Sequence, residues 1–345
     1  MTGWRKNHEN NKKILKFPLN VYKIASKATS GKWSRFLICL DYMYCRLRFH
    51  TDSSEYLYYE FYNYKNRYRK NFFLRYHKKS AFRKINQSLF TRSKYNFYKK
   101  IPDCFFREFI LAPDCGEDAF IQFAKKHKKI VTKPDTGSCG IDIRVFIYTD
   151  DKQAQEYFSQ LSEPTVCEEF ICQHEKLTDM SPFSVNTVRI VSFRENDNIE
   201  IISATLKTGG QVGVIMDNMQ QNGVGAQVDV NTGTIFTYGF DYDNNLYKNH
   251  PLSGVQFLGF DIPNWDKAIE LVKTAHMQLP QCQLLGWDIA ITQIGADIIE
   301  ANNRPGPPLM QMAWPIPRGE KILKATRKAK KKKLPKRNKL SSLPQ

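Results

Sequence analysis

The chain has 345 residues, 41% of them hydrophobic, which excludes a wholly solvated chain and allows one large domain or two to three smaller ones. The longest apolar run, Phe36-Leu37-Ile38-Cys39-Leu40, stops at Asp41, far short of the ~20 residues that cross a bilayer. The basic start, Met1 to Lys6, leads into no apolar core of the kind a signal peptide has. Eight cysteines form no Cys-x-x-Cys pair and no zinc-like spacing, so reduced thiols in a cytosolic protein are expected. The net charge of +18 is uneven. Residues 1–100 hold 24 Lys and Arg against 5 Asp and Glu, residues 101–320 hold 17 against 29, and residues 321–345 hold 11 against none. A basic front and a basic tail thus bracket an acidic middle. That middle does not suit a nucleic-acid groove; it suits a site that collects Mg²⁺.

Taken in order, residues 1–32 are polar and basic, and Gly31-Lys32 lacks the spacing of a P-loop. A helix is predicted over 33–49 and, after the capping residues Thr51 to Ser54, a second over 54–78. Leu57, Phe61, Tyr64, Tyr68 and Phe72 fall on one stripe of that second helix, and ten aromatics lie between Tyr56 and Tyr76 among Lys and Arg. Three readings stand for this front: packing against a catalytic domain, a membrane-surface helix, and base stacking on RNA. No recognisable RNA module accompanies it. Short helices and connections follow from 80 to about 114, then a helix over 117–128. A strand over 130–134, a small-residue loop from Asp135 to Gly140 and an alternating strand over 141–146 come next. Strand, glycine loop, strand is unlike the strand–loop–helix of a P-loop or a dinucleotide-binding turn. A helix over 152–161 leads to strands over 165–171, 185–193 and 199–207. Residues 208–226 hold five glycines and read as loops. Two strands, 227–230 and 235–238, flank a turn at 231–234. A helix over 265–279, a hairpin over 286–303 and a last helix over 309–314 precede a lysine-rich tail from 321, expected to be disordered at its end.

The hairpin carries the chemistry. Its turn is expected at Ile294-Gly295-Ala296-Asp297. Asp288 lies on its first strand, and Glu300 and Asn302 lie two apart on the second, hence on one face. Two carboxylates and an amide oxygen make a Mg²⁺ site with positions open to phosphate oxygens. Lys133 can donate to phosphates at a strand end. The loop with Gly137, Ser138, Cys139 and Gly140 can close over them through backbone N–H groups. Glu168, Glu169, Phe170 and Ile171 lie where a purine can bond to backbone while Phe170 covers its face, and Glu175 can accept from ribose hydroxyls. Arg189 can hold a transferring phosphoryl group. Cys139 reads as a small filler, with no neighbouring His to activate it.

In this order, Lys133-Pro134 with its glycine loop, Glu168 to Ile171, Asn186-Thr187-Val188-Arg189 and Asp288…Glu300-x-Asn302 resemble the ATP-grasp superfamily over about 85–315. Lys207-Thr208-Gly209-Gly210, Met216-Asp217-Asn218, Gly223 to Asp229 and Asn303-Arg304-Pro305-Gly306 are similar to its sugar-transfer-associated branch, related to α-L-glutamate ligases. The resemblance implies an α+β ATP-grasp fold, two lobes clamping ATP, behind a basic aromatic helical region at 1–84. The ATP-grasp domain would span 85–318, with a nucleotide lobe at about 115–175 and a metal and substrate lobe at about 176–318, followed by a polybasic tail at 319–345. It implies Lys94 as a further nucleotide lysine, Arg304 and Lys207 as catalytic residues beside Lys133 and Arg189, and ATP with Mg²⁺ as cofactors. Lys207 departs from the second arginine of many ligases and cannot make its bidentate contact. The implied activity is a carboxylate–amine ligase working through an acyl phosphate on a sugar-linked carboxylate and an amine donor, in bacterial surface-polysaccharide synthesis. The implied place is the cytoplasm, peripherally at the inner face of an anionic membrane through the basic front and tail. A kinase acting on a sugar hydroxyl and a non-catalytic nucleotide- or RNA-binding protein are the alternatives.

Overall fold

The computed structural model describes residues 21–23, 25–27, 30–86, 93–137, 142–213, 217, 219, 222–314 and 317–331. Two antiparallel sheets organise them. The smaller contains β1 (Phe109–Ala112), β2 (Lys129–Pro134), β3 (Arg144–Ile147) and β4 (Thr165–Glu169) in the order β1-β4-β2-β3. Helices α6 (Glu117–His127) and α7 (Asp151–Phe158) cover it through Phe120, Phe123, Ala124 and Ala154. The larger runs β11-β10-β5-β6-β7-β8-β9. Its strands are β5 (Thr187–Glu195), β6 (Asn198–Thr208), β7 (Val224–Val228), β8 (Gly239–Phe240), β9 (Leu246–Tyr247), β10 (Leu284–Ile291) and β11 (Ala296–Asn302). Every residue of β10 is buried, which is why Leu284 to Ile291 reads as a near-continuous apolar run and not as an alternation. Helix α9 (Trp265–Met277) lays Trp265, Ala268, Leu271, Val272 and Ala275 on this sheet at helical spacing.

The front of the chain differs from the expected pair of long helices. Helix α1 (Lys32–Phe49) forms, but the second helix breaks into α2 (Ser53–Tyr58), a single 3-10 turn at Phe61–Asn63, α3 (Asn66–Arg69) and α4 (Arg75–Ile85). Asp52 caps α2 at Glu55 N, 2.8 Å away, and Glu60, in the left-handed region at φ 46°, ends it. The physical reason is burial from several sides. Tyr56, Tyr59, Phe61, Phe72 and Leu74 fill one cluster with Tyr42 and Cys45 of α1 and with Met219, Phe240 and Leu309, and a straight helix directs one stripe only. Arg69 locks the turns by donating to Phe61 O (2.9 Å) and to Asp41 of α1 (2.6 Å). These aromatics therefore pack against the body of the protein. Helix α5 (Lys94–Tyr98) leads into β1, a strand inside the 80–114 stretch where none was expected.

Two further expectations change. Residues 235–238 form no strand; Ile235 makes one isolated bridge to Val228. The stretch expected as tail from 319 is instead helix α11 (Glu320–Lys331), beyond the short α10 (Pro307–Gln311). Ile322 and Leu323 of α11 are buried with Phe82 and Ile85 of α4, so apolar burial overrides the lysine-rich composition. Residues 332–345 lie outside the described part.

Candidate active site

The two sheets face each other across a cleft of about 1490 Å³. Its walls include Lys94, Lys133, Gly137, Glu168 to Ile171, Arg189, Lys207, Asp217, Asp288, Glu300 and Asn302. Residues far apart in sequence thus meet at one opening, because β2 and β4 pair in the small sheet while β5, β6, β10 and β11 are neighbours in the large one.

The floor is a charge network on the large sheet. Arg189 on β5 sits opposite Asp288 on β10, and Asp288 opposite Glu300 on β11, so one row crosses three strands. Arg189 clasps Asp288 in a fork, Nε to Oδ1 at 2.5 Å and Nη2 to Oδ2 at 2.8 Å. Lys207 on β6 adds contacts of 3.2 Å to Asp288 Oδ2 and 3.3 Å to Asp217 Oδ1. Asp217 also accepts from Thr187, by backbone N–H at 3.0 Å and by hydroxyl. Gly286 makes the arrangement possible. A Cβ there would lie 2.8 Å from Pro305 Cβ and 3.4 Å from Arg189 Cδ, where the arginine stem now passes.

Burial and neighbours separate the three carboxyls. Against the burial that opposes it, the charges of Arg189 and Lys207 hold Asp288 well below the usual carboxylate range. Asp217 is pushed up by burial, with Asp288 adding to the shift and Lys207 opposing it. Glu300 is pushed up by burial and by the Asp288 charge. The Asp288 side chain is 7% exposed while that of Glu300 is 42% exposed, so Glu300 is the carboxylate presented to the cleft. Asn302 donates from Nδ2 to Glu300 Oε1 at 2.8 Å, which turns its amide oxygen away from that bond. The donor set of two carboxylates and an amide oxygen suits a hard divalent cation. Glu300 and Asn302 offer open oxygens, while both oxygens of Asp288 are engaged by Arg189 and Lys207. Among the described residues no group of three or more His, Cys, Asp or Glu is placed to hold a metal ion.

The opposite wall carries a second buried network. Lys133 on β2 pairs with Glu168 on β4. Glu168 also takes Arg107 Nη2 at 3.2 Å, and Arg107 reaches across to β11, to Asp297 at 2.7 Å and Ile298 O at 3.0 Å. Although burial pushes the other way, Lys133 and Arg107 hold Glu168 below its ordinary value. Its carboxylate is thus committed to two cations, while its backbone lies in the sheet opposite Phe109 and Val131. Glu169, Phe170 and Ile171 line the cleft, and Lys129 Nζ lies 3.6 Å from the Phe170 ring centroid. Lys94 also lines it, with Nζ on Pro134 O at 2.7 Å.

Two expected residues are not brought to the cleft. Glu175 is exposed in the first turn of α8 (Glu175–Met180) and is absent from the lining, although Thr178 of the same helix belongs to it. Arg304 is exposed beyond the end of β11 and is absent from the lining, whereas Asn303 and Gly306 on either side of it belong there. Ser138, Cys139 and Gly140 lie outside the described residues. Sequence reasoning missed Arg107 and its partner Asp297, which it placed in a turn; β11 starts at Ala296, and Thr292 to Gly295 makes the turn. It named Asp217 only within a motif. An arginine set among four phenylalanines, Phe105, Phe106, Phe109 and Phe97, was the available signal for a buried partner.

The family model described as sugar-transfer associated ATP-grasp matches residues 69–327. No curated protein matches the chain by sequence. Among solved structures, the ATP-grasp ligase PsnB complexed with minimal precursor is 11% identical with a TM-score of 0.43, covering 72% of this chain and 62% of that one. An ADP complex of purK, an N5-carboxyaminoimidazole ribonucleotide synthetase, is 12% identical with a TM-score of 0.44, covering 68% and 51%. A D-alanine–D-alanine ligase from Bacillus anthracis is 12% identical with a TM-score of 0.40, covering 69% and 66%. The chain thus spans between half and two thirds of the length of each of these structures.

Proposed function

The chain belongs to the sugar-transfer associated ATP-grasp family, and from that premise we propose that it is an ATP- and Mg²⁺-dependent carboxylate–amine ligase. The observation that carries the reading is the single cleft in which Lys133 and Lys94 from one side face Arg189, Lys207, Asp288, Glu300 and Asn302 from the other. Cations on both walls suit a polyphosphate, and open hard oxygens beside them suit its metal. The small sheet serves as the nucleotide lobe and the large sheet as the metal and substrate lobe. Glu169, Phe170 and Ile171 receive the base. Lys133 and Lys94 bind phosphate oxygens, Lys133 exchanging its contact with Glu168 for one with the nucleotide. Glu300 and Asn302, with Asp288 behind them, would hold Mg²⁺, which neutralises phosphate charge when bound. Arg189 and Lys207, fixed by Asp288 and Asp217, stabilise charge on the moving phosphoryl group.

In this reaction a carboxylate oxygen bonds to the γ-phosphorus as the bond to the bridging oxygen of ADP breaks. The amine nitrogen then bonds to the acyl carbon, phosphate departs with the old C–O bond, and the amine proton is released. The acceptor is a sugar-linked carboxylate of bacterial surface-polysaccharide synthesis, and the enzyme works on the cytoplasmic side of an anionic membrane. Incubation with Mg²⁺-ATP, hydroxylamine and a panel of sugar carboxylates tests the reading. A hydroxamate formed together with ADP and free phosphate supports a ligase. A phosphorylated sugar formed without free phosphate contradicts it.

A further inference from the structure

Helix α1 is apolar on two faces, and among the described residues only one of them is covered. Tyr42 and Cys45 point inward to the aromatic cluster. On the opposite side Trp33, Phe36, Leu37, Leu40 and Leu47 follow one another at helical spacing. Trp33 is 83% exposed, Leu37 62% and Leu47 80%, and the remaining two are also exposed. The stripe runs for about 20 Å at 1.5 Å per residue. A contiguous exposed apolar face of this kind marks an interaction surface.

Charge selects the occupant. The helix carries Lys32, Arg35, Arg46 and Arg48, and its one acidic residue, Asp41, is neutralised by Arg69 at 2.6 Å. Exposed Lys23 and Lys27 precede it. On a helical wheel Lys32 and Arg48 flank the stripe on its two sides. An aromatic and aliphatic stripe with cations along its borders fits the interface of an anionic bilayer. We infer that α1 docks flat on an anionic lipid surface, its stripe in the acyl boundary and its flanking cations on lipid phosphates. This rests on the proposal that the enzyme works at such a membrane, and not on the chemistry of the cleft. It also places the docking element away from Tyr56 to Tyr76, half of whose ten rings are buried. The cluster under α1 includes Met219 and Leu309, which line the cleft. A docked α1 therefore ties the side of the cleft lined by Met219 and Leu309 to the membrane-bound helix.

Flotation of the full chain with phosphatidylglycerol-containing vesicles and with pure phosphatidylcholine vesicles tests this. The comparison uses Leu37→Glu/Leu47→Glu, Lys32→Glu/Arg48→Glu and a chain lacking residues 1–20. These side chains are exposed, so the melting temperature and Mg²⁺-ATP binding of both double variants are expected to match wild type. That keeps a failure of docking separate from a failure of the nucleotide site. The wild type and the truncated chain are expected to float with anionic vesicles only. Each double variant should lose partitioning by about tenfold or more, since two leucines or two surface charges leave the interface. Equal flotation of wild type and Leu37→Glu/Leu47→Glu overturns the inference. So does binding that requires residues 1–20. A wild type that ignores vesicles but dimerises through the stripe, with the leucine variant monomeric, assigns the face to a second copy instead and equally overturns it.

Discussion

Arg107→Ala probes the buried network that ties the two sheets together. The Arg107 side chain is 4% exposed and serves Glu168 on the small sheet and Asp297 and Ile298 O on the large one. Removing it leaves Asp297 without its cation and Glu168 with Lys133 alone. Breaking a buried pair from one side costs about 3–5 kcal/mol, because the remaining charge stays desolvated. With unfolding entropy of roughly 2.1 cal/mol/K per residue, a chain of this length loses about 4–7 °C in melting temperature. The loss has a pH signature. Burial already holds the Asp297 carboxyl above its ordinary value in spite of Arg107, and without the guanidinium it rises further. A raised acid contributes stability that is full below its unfolded value and is lost as pH rises through its folded value. The deficit of Arg107→Ala relative to wild type should therefore shrink when melting is followed from pH 8 down to pH 5. Adding Asp297→Asn should recover part of it at neutral pH, since the orphaned charge is gone. A melting temperature unchanged at every pH, or a double variant worse than the single, refutes this account of the network.

Other outcomes follow from the cleft and the core. Arg189→Lys keeps a charge but loses the fork on Asp288, and ATP turnover in the presence of acceptor should fall by about 10²-fold or more, the size seen when one preorganised donor is removed. Glu300→Gln keeps the shape of the open ligand but removes its charge, so the Mg²⁺ concentration needed for half-maximal nucleotide binding should rise by at least about tenfold, as read by titration calorimetry. Gly286→Val forces the Arg189 stem aside and should reduce nucleotide-dependent turnover more than it reduces melting temperature. His276 is buried between Ser192 and Cys282 O, and burial lowers its ring to about 4. A histidine with a lowered folded value contributes stability that is lost as pH falls through the unfolded value, by about 2 kcal/mol between pH 7 and pH 5. Denaturant titrations of His276→Gln should show a flatter slope over that range.

The hairpin from Gly286 to Asn302 was readable because a strand repeats every two residues, so Glu300 and Asn302 share a face whatever the rest of the chain does. That Asp288 stands directly opposite both Glu300 and Arg189 was not readable, since register between strands depends on the whole sheet. The aromatic region misled for a physical reason. The spacing of Leu57, Phe61, Tyr64, Tyr68 and Phe72 fits one helical face, yet Leu57 lies on α2, Phe61 in the 3-10 turn and Tyr68 on α3, with Tyr64 and Phe72 in the connections and no Gly or Pro to announce the breaks. Strand β1 is only four residues long, too short for any alternation to register. Helix α11 was hidden by its lysines, although Ile322, Leu323 and Thr326 lie at helical spacing and are buried. Arg107 could not be assigned from local pattern, since both of its carboxylate partners lie more than sixty residues away.

The central claim is that Mg²⁺-ATP binds between Lys133 and the Glu300 edge of the large sheet. Thermal melting with ATP, with and without Mg²⁺, on the wild type, Lys133→Ala and Glu300→Ala tests it most directly. Ligand at 100 times its dissociation constant stabilises a fold by about 2.7 kcal/mol, or roughly 4 °C for a chain of this length. The account predicts such a shift in the wild type with Mg²⁺, a much smaller one without it, and none in either variant at the same nucleotide concentration. A wild type that melts at the same temperature with and without millimolar Mg²⁺-ATP, or variants that shift as far as it does, would contradict it.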